Sequence, residues 1–256
     1  MNTHLNNKGF VNLEIINSIA TITFSHPASN SFPGDLLKKL TQTINQVSDL
    51  SDVSVVVLQS EGEKAFCAGA SFDELLEINT LQEGTEFFSG FAHVINAMRQ
   101  CKKLIIGRVQ GKAVGGGVGL IAACDYVFAM DTAAVKLSEI GIGIGPFVIE
   151  PVVSRKIGKM ATSQLTLTPN FWKTASWAFE KELYSEIFSS INDLDLALQN
   201  FATQLTTYNP EALSKIKKVF WENTSHWDVL LLERAAISGE LVLSDFTKKA
   251  LQLLKK

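Results

Sequence analysis

Two short stretches of this chain hold backbone donors in positions suited to binding negative charge. Phe66-Cys67-Ala68-Gly69-Ala70 and Gly111-Lys112-Ala113-Val114-Gly115-Gly116-Gly117 each set small residues and glycine directly after an apolar, strand-like run. Without bulky side chains the backbone can approach a ligand closely, and N–H groups at the start of a following helix stay available to an anion. The pair reads as an oxyanion hole for a thioester, where each donor stabilises developing charge by about 2.7–4 kcal/mol. A tight turn or a close helix–strand contact would explain isolated glycines equally well, so the weight rests on both stretches occurring together.

Other chemistries fit less well. Gly141-Ile142-Gly143-Ile144-Gly145-Pro146 does not make a dinucleotide fingerprint, and the glycines at 111 and 116 are followed by Gly117 where a P-loop needs lysine. There is no GxSxG elbow, and His93 and His226 have no metal-ligand spacing, so no metal is expected. His93 reads as a helix-surface or core residue. Cys67, Cys101 and Cys124 are three cysteines without CxxC spacing, which suits free thiols in a reducing cytosol, with Cys67 packing as a small hydrophobe.

These segments must be positioned by a substantial core. The 256 residues are 46% hydrophobic with a formal charge of −3, enough for one main core and against a dedicated nucleic-acid binder. Met1 to Lys8 is polar, and no window approaches the roughly 18 apolar residues of a membrane span. A soluble, cytoplasmic, unexported protein is expected.

Val11–Ile16 and Ile19–Phe24 are β-prone runs separated by Asn17-Ser18, which predicts an antiparallel pair. Leu36, Leu37, Leu40, Ile44 and Val47 recur at helical spacing, and Val53–Leu58 reads as a buried strand. Thr80 is a candidate N-cap for a helix with Phe88, Phe91, Val94, Ile95 and Met98 on one face. A strand at Leu104–Val109, a helix around Gly117 to Cys124, and strands at Tyr126–Met130 and Ala134–Leu137 follow. Alternation alone suggests a doubly wound sheet, but the repeated strand–strand–helix order fits an α/β spiral of stacked ββα turns better. From about Phe147 strand character ends, and Leu194–Thr207, Glu211–Trp221 and Trp227–Leu243 are amphipathic helical patterns. The division expected is a spiral core over residues 1–195 and a helical oligomerisation lobe over 196–256. Trp172, Trp177, Trp221 and Trp227 read as core or subunit packing.

The two donor segments, followed by Leu137-Ser138-Glu139 and Gly141-Ile142-Gly143, resemble the crotonase family of enoyl-CoA hydratases and isomerases from about Phe10 to Lys256. The resemblance implies the same spiral, N–H donors at Ala70 and Gly116, and Glu139 as acid/base, since it matches the family's second glutamate. The first family glutamate falls at Gly119. That leaves three options open: hydration with Glu139 as acid/base, Δ3,Δ2-isomerisation by Glu139 alone, or a catalytically weak CoA-binding or RNA-binding relative. Leu137-Ser138-Glu139 with Pro146-Phe147-Val148 is similar to a bacterial methylglutaconyl-CoA hydratase subgroup, whose usual setting is leucine breakdown, and on this basis hydration is favoured. Coenzyme A would enter as part of the substrate, with no separate cofactor. The resemblance places it near Ala28, Ala68, Ala70, Gly115 and Gly116, with the acyl group beside Phe72, Leu75, Leu76 and Phe147. Phe246 and Lys249, with Lys248, Lys255 and Lys256, would reach the nucleotide. A homotrimer or a hexamer is implied; no membrane partner is expected, and the charge balance argues against nucleic acid.

Overall fold

The computed structural model describes residues 9–254. The chain opens with β1 (Phe10–Ile16) and β2 (Ile19–Ser25), an antiparallel hairpin. Its two turn residues, Asn17 and Ser18, have φ of 51° and 63°, the left-handed pair whose twist matches that of the strands it joins. Next, α1 (Gly34–Asp49) buries Leu36, Leu37, Leu40, Ile44 and Val47, as their spacing predicts.

Three strand pairs then build the body. The strand β3 (Val55–Ser60) lies parallel to β2, whereas β4 (Ala65–Cys67) leaves for a second sheet; α2 (Phe72–Glu77) and α3 (Leu81–Gln100) follow. Thr80 does cap α3, in a reciprocal capping box with Glu83. The second pair is β5 (Leu104–Val109) beside β3 and β6 (Lys112–Val114) beside β4, leading into α4 (Gly116–Ala123). In the third, β7 (Tyr126–Met130) lies beside β5 and β8 (Val135–Lys136) beside β6, before a single 3-10 turn, Glu139–Ile142. Each turn thus contributes one strand to a six-stranded sheet and one to a three-stranded sheet ordered β4-β6-β8, which is the spiral expected. Gly111 lets neighbouring turns touch, because a Cβ there would lie 2.6 Å from the Lys64 carbonyl oxygen.

The remaining chain is α5 (Glu150–Leu167), interrupted at Gly158 with φ of 78°, then α6 (Ala175–Glu180), β9 (Glu186–Phe188), α7 (Ile191–Thr206), α8 (Pro210–Phe220), α9 (Trp227–Leu241) and α10 (Asp245–Leu254). One expectation needs correction. Strand character does not end at Phe147, since β9 pairs in parallel with β7; three residues are too few to show a period in sequence, and the neighbouring strand edge supplies the partners. The division after residue 195 falls inside α7, whose Leu194, Leu198, Ala202 and Leu205 pack on Val55, Val57, Ile106 and Phe128 of the large sheet. Trp227, Leu231 and Ala235 of α9 likewise belong to the main core.

A buried ion pair fastens α8 to the sheet. Lys217 Nζ lies 3.0 Å from Asp125 Oδ2 and donates to the Lys103 carbonyl at 2.7 Å, while Asp125 also accepts from Trp221 Nε1 and Ile105 N–H. Trp221 and Trp227 are buried edge to face, whereas Trp172 is 39% exposed. The three cysteines are buried free thiols, and burial pushes Cys67 up to about 12. Among the described residues no helix is long and apolar enough to cross a membrane. Met1 to Lys8 lies outside the described residues.

Candidate active site

The three parallel strands of the small sheet end side by side, and the residues that follow each of them converge on one cavity of about 590 Å³. Ala68, Gly69 and Ala70 follow β4, Gly115 and Gly116 follow β6, and Ser138 and Glu139 follow β8; all line the cavity. Strand pairing therefore joins segments that are far apart in sequence.

The backbone at the first two junctions is held so that at least one N–H in each stays free among the described residues. Phe32 N–H donates to the Gly69 carbonyl at 2.8 Å and Ser71 N–H donates to the Phe32 carbonyl at 2.9 Å, so the bonds flank Ala70. Gly69 takes φ of 91° to make this turn. Gly115 N–H donates to the Lys136 carbonyl at 3.0 Å, after which Gly116 opens α4. Among the described residues neither Ala70 N–H nor Gly116 N–H donates to a protein acceptor. The two junctions touch, because a Cβ built on Gly69 would lie 3.7 Å from Gly116 N. Two N–H groups, one at a helix N-terminus, can together hold an oxyanion.

Glu139 lies against the second junction. A Cβ on Gly115 would be 2.7 Å from its Oε1, so only glycine, which also tolerates the φ of 54° there, leaves the carboxylate room. Its Oε2 is buried with no hydrogen-bond partner among the described residues. Burial pushes its pKa from 4.5 to about 7, and the nearby Ser138 and Glu139 N–H groups only partly oppose this. It is the one carboxylate among the described residues that line the cavity. A carboxyl group that titrates near neutrality can both take and return a proton.

The surrounding wall is apolar, formed by Phe72 and Leu75 of α2, Phe87, Phe88 and Phe91 of α3, and Phe147. Gly119 does not line it. A Cβ at Gly119 would lie 2.5 Å from Ile149 Cγ2, and Ile149 is the residue that faces the cavity. A Cβ at Gly116 would lie 2.3 Å from the Phe91 ring, so a side chain there meets Phe91 first.

Of the residues expected around the ligand, Ala68, Ala70, Phe72, Gly115, Gly116, Phe147 and Glu139 line the cavity, but Ala28, Leu76, Phe246 and Lys249 do not. Ala28 is exposed at the turn next to Ser29, whose carbonyl accepts Ala68 N–H at 3.1 Å, outside the cavity wall. Leu76 instead packs with the cluster of Leu75, Ile78, Ile144, Val242 and Leu251. Phe246 covers Gly143, one helical turn before Ala250, and Lys249 is exposed; Ala250 and Leu253 are the α10 residues that line the cavity. Lys255 and Lys256 lie outside the described residues. Sequence inspection missed Lys136, Ile149, Asn170, Ala250 and Leu253. Only the α10 stripe had a signal, its helical spacing, but periodicity does not say which cavity a stripe faces.

The sequence pattern of the Enoyl-CoA hydratase/isomerase family matches residues 14–243. The chain belongs to this family. Members similar to it include the short-chain-enoyl-CoA hydratase of Clostridium acetobutylicum, 35% identical over 158 residues, 61% of this chain and 60% of that one. The peroxisomal Delta(3,5)-Delta(2,4)-dienoyl-CoA isomerase of Arabidopsis thaliana is 25% identical over 83% of this chain and 82% of its own. Matches to the first relatives span about half to three fifths of their length. The crystal structure of enoyl-CoA hydratase from Bacillus halodurans superposes with a TM-score of 0.88 over 95% of this chain and 99% of that one at 22% identity, a likeness of fold. The crotonase-like spiral of this family member is thus the scaffold of the cavity.

Proposed function

We propose that the chain acts on an enoyl thioester of coenzyme A, with Ala70 and Gly116 N–H groups holding the thioester oxygen and Glu139 carrying the proton. The observation that carries this is Glu139 itself: a buried carboxylate with an unpartnered oxygen and a pKa of about 7, packed against Gly115 beside both free donors. Charge that develops on the thioester oxygen as a neighbouring proton leaves would meet preorganised donors in a site lined mainly by apolar groups, where they act most strongly.

The single carboxylate favours a double-bond shift. Glu139 takes a proton from C2 to leave a dienolate; as the thioester carbonyl re-forms, the C1=C2 pair becomes C2=C3 and the C3=C4 pair takes the proton back from the same carboxyl at C4. Water addition needs a group to orient and activate water, and the side that a residue at 119 would occupy is filled by Ile149. Hydration, including that of methylglutaconyl-CoA, is the second reading; the name of the Clostridium acetobutylicum relative favours it. The proton transfer draws only on groups of the chain and the substrate. The implied trimer or hexamer belongs to the same proposal, with Val219 and Phe220 of α8 and Val229 of α9, all at least half exposed, available to a neighbouring subunit.

The test is turnover of 3-hexenoyl-CoA against hydration of crotonyl-CoA, in the wild type and in Glu139→Gln. Faster conversion of the 3-enoyl substrate, abolished in the variant, supports isomerisation. Faster hydration of crotonyl-CoA would replace it with the second reading, and turnover that survives Glu139→Gln would remove both.

A further inference from the structure

Lys136 is the one cation among the described residues that line the cavity. Its ammonium lies 4.7 Å from the centre of the Trp172 ring, and Lys112 Nζ lies 5.1 Å from the same ring. Two strands put these lysines together. Lys136 pairs in register with Val114, and Lys112 is two residues before Val114 on β6, so all three stand on one face of the small sheet. Trp172 is fixed beside them because Val135 and Lys173 exchange backbone hydrogen bonds, both at 2.9 Å. Among the described residues neither lysine forms an ion pair. Each ammonium is attracted to the ring and repelled by the other, an arrangement that an anion between them relieves. Ser138 and Asn170 line the same cavity, and neither side chain has a protein hydrogen-bond partner among the described residues. Two cations without an ion-pair partner among the described residues thus share one ring beside the cavity.

We propose that this cluster is an anion subsite and that it takes a carboxylate at the far end of the acyl group, so that the preferred ligand is a dicarboxylic acyl thioester. The proposal rests on the thioester reading of Ala70, Gly116 and Glu139. The acyl end is favoured over the nucleotide phosphates by distance. The Lys136 carbonyl accepts Gly115 N–H, so the lysine starts one strand away from the donor junction. Its side chain reaches only a few bonds from there, whereas the pantetheine arm holds the phosphates much farther from the thioester carbon.

The experiment is calorimetric binding of three unreactive ligands: glutaryl-CoA, pentanoyl-CoA of equal acyl length, and free CoA. The wild type should prefer glutaryl-CoA to pentanoyl-CoA. In Lys136→Met that preference should fall by about tenfold, the usual scale of one charge-assisted hydrogen bond. Lys136→Arg should keep it, and Lys112→Met should lose part of it. A preference unchanged by Lys136→Met overturns the subsite, and so does equal weakening of all three ligands, which would place the lysines on the phosphates. None of the three carries a double bond to shift or hydrate. Failure of the catalytic reading would therefore show in Glu139-dependent turnover, whereas failure of the subsite shows only in these binding ratios.

Discussion

Replacing Glu139 by glutamine removes a proton carrier and a buried charge, and the two losses can be measured separately. The folded carboxyl titrates at about 7 instead of 4.5 because it is buried. A carboxyl whose folded pKa is raised stabilises the protein fully only below its unfolded pKa, and that contribution is lost as pH rises through the folded value. The window therefore runs from about pH 4.5 to somewhat above 7. With each pH unit worth about 1.36 kcal/mol, ionising Glu139 costs the folded state on the order of 3 kcal/mol at most, and about 2–3 of this falls between pH 5 and 9. Glutamine keeps the shape and cannot ionise. The melting temperature of the wild type should thus fall relative to Glu139→Gln by roughly 5–10 °C between those pH values, as scaled for a protein of this size. Turnover should drop by at least about 10²-fold, the low end for a positioned acid/base. Wild-type kcat/KM should show an ionisation near 7 that the variant lacks. Scanning calorimetry across pH and initial rates on the preferred enoyl-CoA supply both readouts. Parallel melting curves for the two proteins would refute the buried, unpartnered carboxylate, and near wild-type turnover would refute its role.

Four further variants probe the packing of the spiral. Gly116→Val should destabilise the protein by about 1–3 kcal/mol, the range for an overpacked core, and abolish activity, because its Cβ would fall 2.3 Å from Phe91; unchanged melting with full activity would mean the ring is not there. Gly119→Glu alone should be destabilised without gaining hydration, whereas Gly119→Glu with Ile149→Gly should raise the hydration-to-isomerisation ratio, since the glycine removes both the Cγ2 at 2.5 Å and the Cβ at 2.9 Å. An equal gain from the single variant would show that Ile149 does not occupy that space. Lys217→Met should cost about 3–5 kcal/mol by leaving the buried Asp125 without its cation; a urea midpoint within error of wild type would contradict the buried pair.

The elements with strong local signals were legible without coordinates. The hairpin around Asn17-Ser18, the α1 and α3 faces, the Thr80 cap, the Leu104–Val109 and Tyr126–Met130 strands and the ββα order all follow from periodicity and turn chemistry within one segment. The spiral and the strand–glycine junctions were likewise read from the sequence, through residue order and family resemblance. Strand β9, the continuity of α7 with the core, the Ile149 side chain over Gly119, the α10 stripe and the pairing of Lys136 with Lys112 on Trp172 were not. Each depends on side chains meeting across turns of the spiral, between residues whose separation along the chain leaves no local mark. Local physics made the strands, helices and glycine junctions; only the stacking of the turns decided that Glu139 would lose its water beside Gly115, and so titrate near neutrality.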